Sequence, residues 1–158
     1  MLLTPTKIVS KILEIFPEFE EHEYYYPSDY SNSPHSFITD FYAYLSERFI
    51  SHSLDINHQK IQKFFELILK ARETVNHETY DFIMSGLFEG MHNNPQSIQF
   101  FESAAEKYLS SEAYRDFLAV THHHVGNIDS FIPKDPRERE ILERKNEIDR
   151  TTSSKEEI

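Results

Sequence analysis

The sequence predicts an all-α protein, built either as a six-to-seven-helix bundle or as a small solenoid of antiparallel helix pairs. Three observations carry this expectation. Only 3 of the 158 residues are Gly, which disfavours a turn-rich β architecture. Apolar residues recur at helical spacing through most of the chain. Most of these runs open on Ser, Thr, Asp or Asn, several with Pro close behind, which is the signature of a helix start. Links of two to six residues between the third and sixth helices suit antiparallel neighbours, and no self-similarity assigns a named repeat class.

The elements follow in order. The first helix begins near Thr4 or Thr6, with Pro5 in its first turn, and stops before Pro17. Its apolar stripe is Ile8, Ile12, Leu13 and Ile15 or Phe16. Pro17, Pro27 and Ser28-Asp29 then mark a mostly irregular segment. Ser33-Pro34 opens the second helix, whose buried face is Phe37, Ile38, Phe41, Leu45 and Phe49. Asp55 or Asn57 caps a third, with Ile61, Phe64, Phe65, Ile68 and Val75 as its stripe.

Asn76 caps a fourth helix carrying Tyr80, Ile83, Met84 and Leu87, which Gly86 and Gly90 weaken. Asn93-Asn94-Pro95 stops it and caps a fifth, with Ile98, Phe101, Ala105, Tyr108 and Leu109. The sixth starts at Ser110 or Ser111, runs through Tyr114, Phe117 and Leu118, and ends by Gly126. Asp135-Pro136-Arg137-Glu138 is a well-formed start for a seventh. That segment is dense in charge and reads as an exposed, loosely attached helix to about Asp149, frayed from Thr151 onward. The expected division is an all-helical domain over residues 1–132 and a charged helical, partly disordered tail over 133–158.

Thirteen Phe and nine Tyr supply most of the core, with no Trp. No cysteine is present, so neither a disulfide framework nor a thiolate zinc site is available, as in a reducing compartment. Lys7, Lys11 and Glu14 interrupt what a signal peptide would need as an apolar core. No apolar run approaches the ~20 residues of a membrane helix. A soluble, cytoplasmic protein is the expectation, with no membrane partner.

The formal charge is -11. From Pro133 onward seven bases nearly balance eight acids, so the acidity belongs to the first 132 residues. Such a body repels nucleic acid and attracts a basic protein; acidity also serves plain solubility. Its focus lies between Lys11 and Arg48. Eight acids stand there, Glu14, Glu18, Glu20, Glu21, Glu23, Asp29, Asp40 and Glu47, and no Lys or Arg. Tyrosines interleave with them. We expect Glu18, Glu20, Glu21, Glu23, Tyr24, Tyr25, Tyr26, Asp29 and Tyr30 to form the contact for a basic protein partner. The carboxylates would steer association, and the tyrosines would supply large contact area at low entropic cost. Any of Tyr24 to Tyr26 could instead be a core residue that fixes the loop.

Other constellations carry less chemistry. Successive helical residues point about 100° apart, so His122-His123-His124 does not converge on one ion. Glu89-Gly-Met-His92 matches one Glu-x-x-His element of a carboxylate di-metal bundle, but no second copy accompanies it. Glu18, Glu20, Glu21 and Glu23 form a solvated run rather than a carboxylate pair held apart in a cleft. His35 reads as structural, donating to Asp40 or to a loop carbonyl. No phosphate loop, nucleophile elbow or Ser/His/Asp motif is present. The expectation is therefore a binder with no catalytic residue, metal or cofactor.

Four stretches carry a resemblance. They are Phe16-Pro17-Glu18-Phe19, the Pro34-His35-x-Phe37-x-x-Asp40-Phe41-x-x-Tyr44-Leu45 pattern, Gly86-Leu87-Phe88-Glu89-Gly90, and Lys107-Tyr108-Leu109. Across about residues 8–118 the chain resembles a family of small, acidic, all-helical bacterial domains of unknown function. That family is similar in size and charge to immunity proteins that neutralise polymorphic or contact-dependent toxins. The resemblance implies a helical inhibitor of a cognate basic toxin. One departure is Phe82-Ile83-Met84-Ser85 in the fourth helix, where the family often has an acidic or small residue. The same physics fits a phage-type inhibitor of a host nucleic-acid enzyme. A metal-dependent enzyme and a helical scaffold remain as readings from other classes.

Overall fold

The computed structural model describes residues 2–30, 32–74, 76–121 and 133–156, except for the side chains of Asp29, Thr121 and residues 152–156. Seven helices make up the described chain, with no strand among the described residues. They are α1 (Pro5–Ile15), α2 (Pro34–Ile50), α3 (Gln59–Arg72), α4 (residues 77–92), α5 (Ile98–Tyr108), α6 (Ser111–Thr121) and α7 (Pro136–Glu156). This is the expected all-helical bundle. No helix is long and apolar enough to cross a membrane among the described residues.

Cap chemistry sets most helix starts. Thr4 accepts a hydrogen bond from the Lys7 amide, with Pro5 at the first position of α1, and Ser33 accepts from the Ser36 amide ahead of Pro34 in α2. Asn76 opens α4 by accepting from the Thr79 amide, as expected. Two starts differ from expectation. The cap of α3 is His58, whose Nδ1 accepts from the Lys60 amide, because Asp55 is spent one turn earlier on the Asn57 amide. The residue before α5 is Ser97, not Asn93 or Asn94, and its hydroxyl lies 2.6 Å from that of Ser46 in α2. Asn94 instead donates its Nδ2 back to the Gly90 carbonyl, satisfying the end of α4.

α2 is the central helix. Its five expected inward residues are buried, and so are Tyr42 and Tyr44, so most of its circumference meets protein. Phe41 packs edge-on against Phe16 at 5.1 Å and Phe64 at 5.7 Å, joining α1 and α3 to α2. Tyr42 lies 5.1 Å from Phe101, which brings in α5. The chain leaves α2 through a turn that requires His52 at φ 61. There the Ser53 amide bonds the Arg48 carbonyl and the His52 amide bonds the Phe49 carbonyl, the pairing normally built around Gly.

α4 is one continuous rod that changes pitch. Residues Phe82–Phe88 form a π-helical stretch between two α-helical turns, His77–Asp81 and Glu89–His92. Gly86 and Gly90 were expected to weaken this helix; they let it sit close to its neighbours. A Cβ on Gly90 would fall 2.8 Å from the Tyr42 ring. With the helix that near, the buried Tyr42 hydroxyl donates to the Leu87 carbonyl at 2.9 Å. The wider π turn also moves the buried face, which holds Phe82 and Phe88, while Tyr80 and Met84 are only half-buried.

Polar ties close the body. Thr79 donates to the Leu3 carbonyl at 2.7 Å, and Arg72 bridges α3 to α6 through Asp116 at 2.8 Å and Glu112 at 3.0 Å. Burial works against the Arg72 cation, yet those carboxylates hold its pKa above the ordinary value. The seventh helix, expected to be loosely attached, packs on α6 by Ile141 and Leu142, both buried. Lys145 adds a bond to the Leu109 carbonyl, and burial lowers its pKa. Val75, His122-His123-His124, Gly126 and the boundary expected at residue 132 lie outside the described residues.

Candidate acidic and aromatic contact surface

The acidic segment between α1 and α2 is shaped by its two prolines. Pro17 and Pro27 each open a short 3-10 turn, Pro17–Glu21 and Pro27–Asp29, so the stretch expected to be irregular is largely turned. Phe19 is fully buried beneath it, with its ring within 5.2–5.7 Å of Phe37, Phe41 and Tyr44 on α2. At the far end Tyr30 packs edge-on to Phe37, donates its hydroxyl to Asp40 at 2.8 Å and accepts the Tyr26 amide at 2.8 Å. Burial, reinforced by the Asp40 carboxylate, pushes the Tyr30 phenol far above its ordinary pKa. The segment is held at both ends.

The expected contact residues therefore divide. Glu20, Glu21, Glu23, Tyr24 and Tyr26 are exposed, Tyr26 to 60%. Tyr25 and Tyr30 are half-buried and turn toward the core, Tyr25 against Phe19 at 5.3 Å and Tyr30 at 5.4 Å. Glu18 is engaged with the body: Lys60 donates to it at 2.9 Å and the Tyr44 hydroxyl at 3.2 Å. Partial burial opposes its ionisation, but the Lys60 bond and charge, a backbone bond and the Tyr44 bond outweigh this and hold its pKa below the ordinary value. Behind it Arg48 donates to the Tyr44 hydroxyl at 3.2 Å; burial and the Glu18 charge raise that phenol to about 12. The Asp29 side chain lies outside the description.

Sequence reasoning missed what surrounds Tyr24. His22 Nδ1 accepts the Tyr24 amide at 3.2 Å, which places the imidazole proton on Nε2, 3.8 Å from the Glu47 carboxylate. The imidazole lies 4.7 Å from the Tyr24 ring and 5.0 Å from Tyr44. Glu47, by charge and hydrogen bond, raises the Tyr24 phenol pKa. Beyond Tyr24 a shallow groove of about 450 Å³ runs along the end of α2, with Ala43, Glu47 and Ile50 on one side and Asn94 and Gln96 on the other. Ile50 is 48% exposed and comes from the helix face opposite the predicted stripe. The signal available beforehand was Glu47 and Ile50 at i and i+3, one a carboxylate and one an aliphatic off the core pattern.

The remaining constellations serve packing. His35 does not reach Asp40; its Nε2 lies 3.1 Å from the Ser85 hydroxyl, joining α2 to α4. Ser85 donates its own proton to the Asp81 carbonyl at 2.7 Å, so the hydroxyl hydrogen is not directed at the imidazole. His92 Nε2 lies 3.0 Å from the Phe117 carbonyl and its ring lies tilted against the Phe117 ring at 4.3 Å. No group of three or more His, Cys, Asp or Glu able to hold a metal occurs among the described residues. A second cavity of about 320 Å³ lies where α7 meets α5 and α6; Glu106 and Arg137 line it and pair at 3.3 Å, and Arg144 of α7 reaches the same carboxylate at 3.9 Å.

Comparison with known proteins gives no match: no family model, no curated protein and no solved structure matches this chain.

Proposed function

We propose that this domain is an acidic protein-binding inhibitor that engages a basic protein, and that it acts as an immunity protein neutralising a cognate bacterial toxin. The observation that supports the reading most is the division of labour within residues 16–30. Phe19, Tyr25 and Tyr30 bury one side of the segment, while Glu20, Glu21, Glu23, Tyr24 and Tyr26 stand exposed on the other. An acidic linker kept only for solubility has no need of such anchoring. A contact surface gains from it, because a segment ordered before binding loses little entropy on binding. Many toxins that act on nucleic acid are basic, and fixed carboxylates can occupy the sites that phosphates would take. The toxin assignment itself rests on the resemblance described above.

The experiment is binding kinetics at two salt concentrations against the purified product of a toxin gene encoded beside this one. Changing Glu20, Glu21 and Glu23 to Lys is expected to slow association by about tenfold to a thousandfold and to flatten its salt dependence. Changing Tyr24 and Tyr26 to Ala is expected to speed dissociation, each buried anchor contributing roughly 2 kcal/mol. If both variants fold normally and bind at unaltered rates, the contact surface lies elsewhere.

A further inference from the structure

The groove beside Tyr24 has a composition that selects among basic ligands. We propose that it seats an arginine side chain of the partner, with the guanidinium on the Tyr24 ring and paired to Glu47, and the aliphatic stem along Ala43 and Ile50. This rests on the reading above and names the anchor within it.

Shape and chemistry agree. A groove of about 450 Å³, open to solvent, admits one long side chain rather than a helix. Two large apolar side chains face it partly uncovered, Tyr24 at 36% and Ile50 at 48% exposure. A carboxylate stands on the same helix face as Ile50, one turn before it. An aromatic face, an aliphatic wall and one carboxylate match an amphipathic cation, which buries its stem and keeps its charge paired.

Charge complementarity fixes the sign. The Tyr24 phenol feels both Glu47 and Glu23, so two carboxylates act at this point. No Lys or Arg occurs from residue 12 to residue 47, and Arg48, next in the chain, is engaged with Tyr44. Arginine is favoured over lysine because a planar guanidinium can stack on the phenol ring while donating sideways in a fork. Asn94 stands at the far wall with one Nδ2 hydrogen spent on the Gly90 carbonyl, and its Oδ1 is an acceptor a guanidinium can use.

The test uses the full chain, isotope-labelled, and three blocked tripeptides, Gly-Arg-Gly, Gly-Lys-Gly and Gly-citrulline-Gly, followed by amide chemical shifts. The arginine peptide is expected to saturate at millimolar concentration, on the order of 1–10 mM, and to move the amides of Tyr24, Glu47, Ile50 and Asn94. Citrulline, which keeps the shape and loses the charge, is expected to bind at least about tenfold more weakly, with lysine between them. Glu47→Gln is expected to cost the arginine peptide about tenfold, and Tyr24→Leu to abolish the preference for arginine over lysine. Equal binding of arginine and citrulline, shifts that map away from the groove, or an unchanged Glu47→Gln variant would each overturn the proposal. If the peptides fail while Lys substitutions at Glu20, Glu21 and Glu23 still slow partner association, the acidic surface stands and the arginine seat falls. If the peptides bind as expected and those substitutions change nothing, the seat stands and the wider surface falls.

Discussion

Replacing Tyr30 by Phe tests whether the acidic segment is held from its inner side. The substitution keeps the ring against Phe37 and Tyr25 and deletes only the hydroxyl. Three contacts go with it: the bond donated to the Asp40 carboxylate and the one accepted from the Tyr26 amide, both 2.8 Å long, and a longer contact of 3.4 Å from the hydroxyl to the Tyr24 carbonyl. A hydrogen bond to a charged group contributes roughly 1.5–3 kcal/mol and a neutral one about 1 kcal/mol. Because Asp40 is only half-buried, water recovers part of this, and the expected net loss is about 2 kcal/mol. For a chain of this size that lowers Tm by roughly 4–8 °C. Tyr24→Ala removes an exposed ring and should stay within about 0.5 kcal/mol of the parent. Urea unfolding of both variants, with Asp40→Asn and the double mutant completing a cycle, separates the coupled pair from the ring. A coupling energy near zero, or a larger loss for Tyr24→Ala than for Tyr30→Phe, would refute the clamp.

Three further outcomes follow from the same structure. His52→Gly should stabilise the protein by about 1 kcal/mol and raise Tm by roughly 2–4 °C, because φ 61 strains a residue with a Cβ; a destabilised variant would mean that the imidazole has a role in the turn. Arg72→Met should cost about 3 kcal/mol in chemical denaturation, since it removes the guanidinium from the buried Asp116, and a neutral result would show that the bridge is dispensable. The Glu18 pKa is lower folded than its ordinary 4.5, so its contribution is complete above that value and is lost as pH falls through the folded value. Glu18→Gln should accordingly flatten the decline in stability below about pH 4.5, and parallel profiles for parent and variant would sink that assignment.

How much of this was legible beforehand depended on which physical rule governed each stretch. Helices α1, α2, α5 and α6 keep a 3.6-residue period, and Ile8, Ile12, the five predicted residues of α2, Phe101, Ala105, Tyr114, Phe117 and Leu118 are buried as their stripes predict, whereas the buried Ala104, Ala113 and Ala119 lay outside them. α4 does not: the π turn over Phe82–Phe88 alters the angular step, so a pattern read at α-helical spacing picks Tyr80 and Met84 and misses Phe82 and Phe88. Caps were legible where one candidate stood alone, as at Ser33 and Asn76, and Thr4 was one of the two candidates for α1. They were not legible where several polar residues competed, because Asp55, Asn94 and Ser97 each bond elsewhere. The two tyrosines added to the core of α2 were illegible for a related reason. Tyr42 and Tyr44 can be buried only because a Leu87 carbonyl and a Glu18 carboxylate, 45 and 26 residues away, satisfy their hydroxyls.

The contact segment shows the same limit more sharply. Its composition announced acids and tyrosines but could not order them by depth, because no local period governs a stretch of two 3-10 turns. Depth was decided from outside, by Phe37 and Asp40 on α2, which draw Tyr30 inward, and by Phe19, which draws Tyr25. Consecutive residues consequently lie at different depths: Tyr25 holds the segment while Tyr24 and Tyr26 stand exposed. On the proposed reading, stability and recognition fall to different side chains of one short run. Substitutions at Tyr25 or Tyr30 would weaken binding indirectly, by loosening the frame that presents the exposed residues, and the loss would track the loss of fold. At Tyr24, Tyr26 or Glu47 binding would change with little change in unfolding, and that difference is what separates a contact residue from its support.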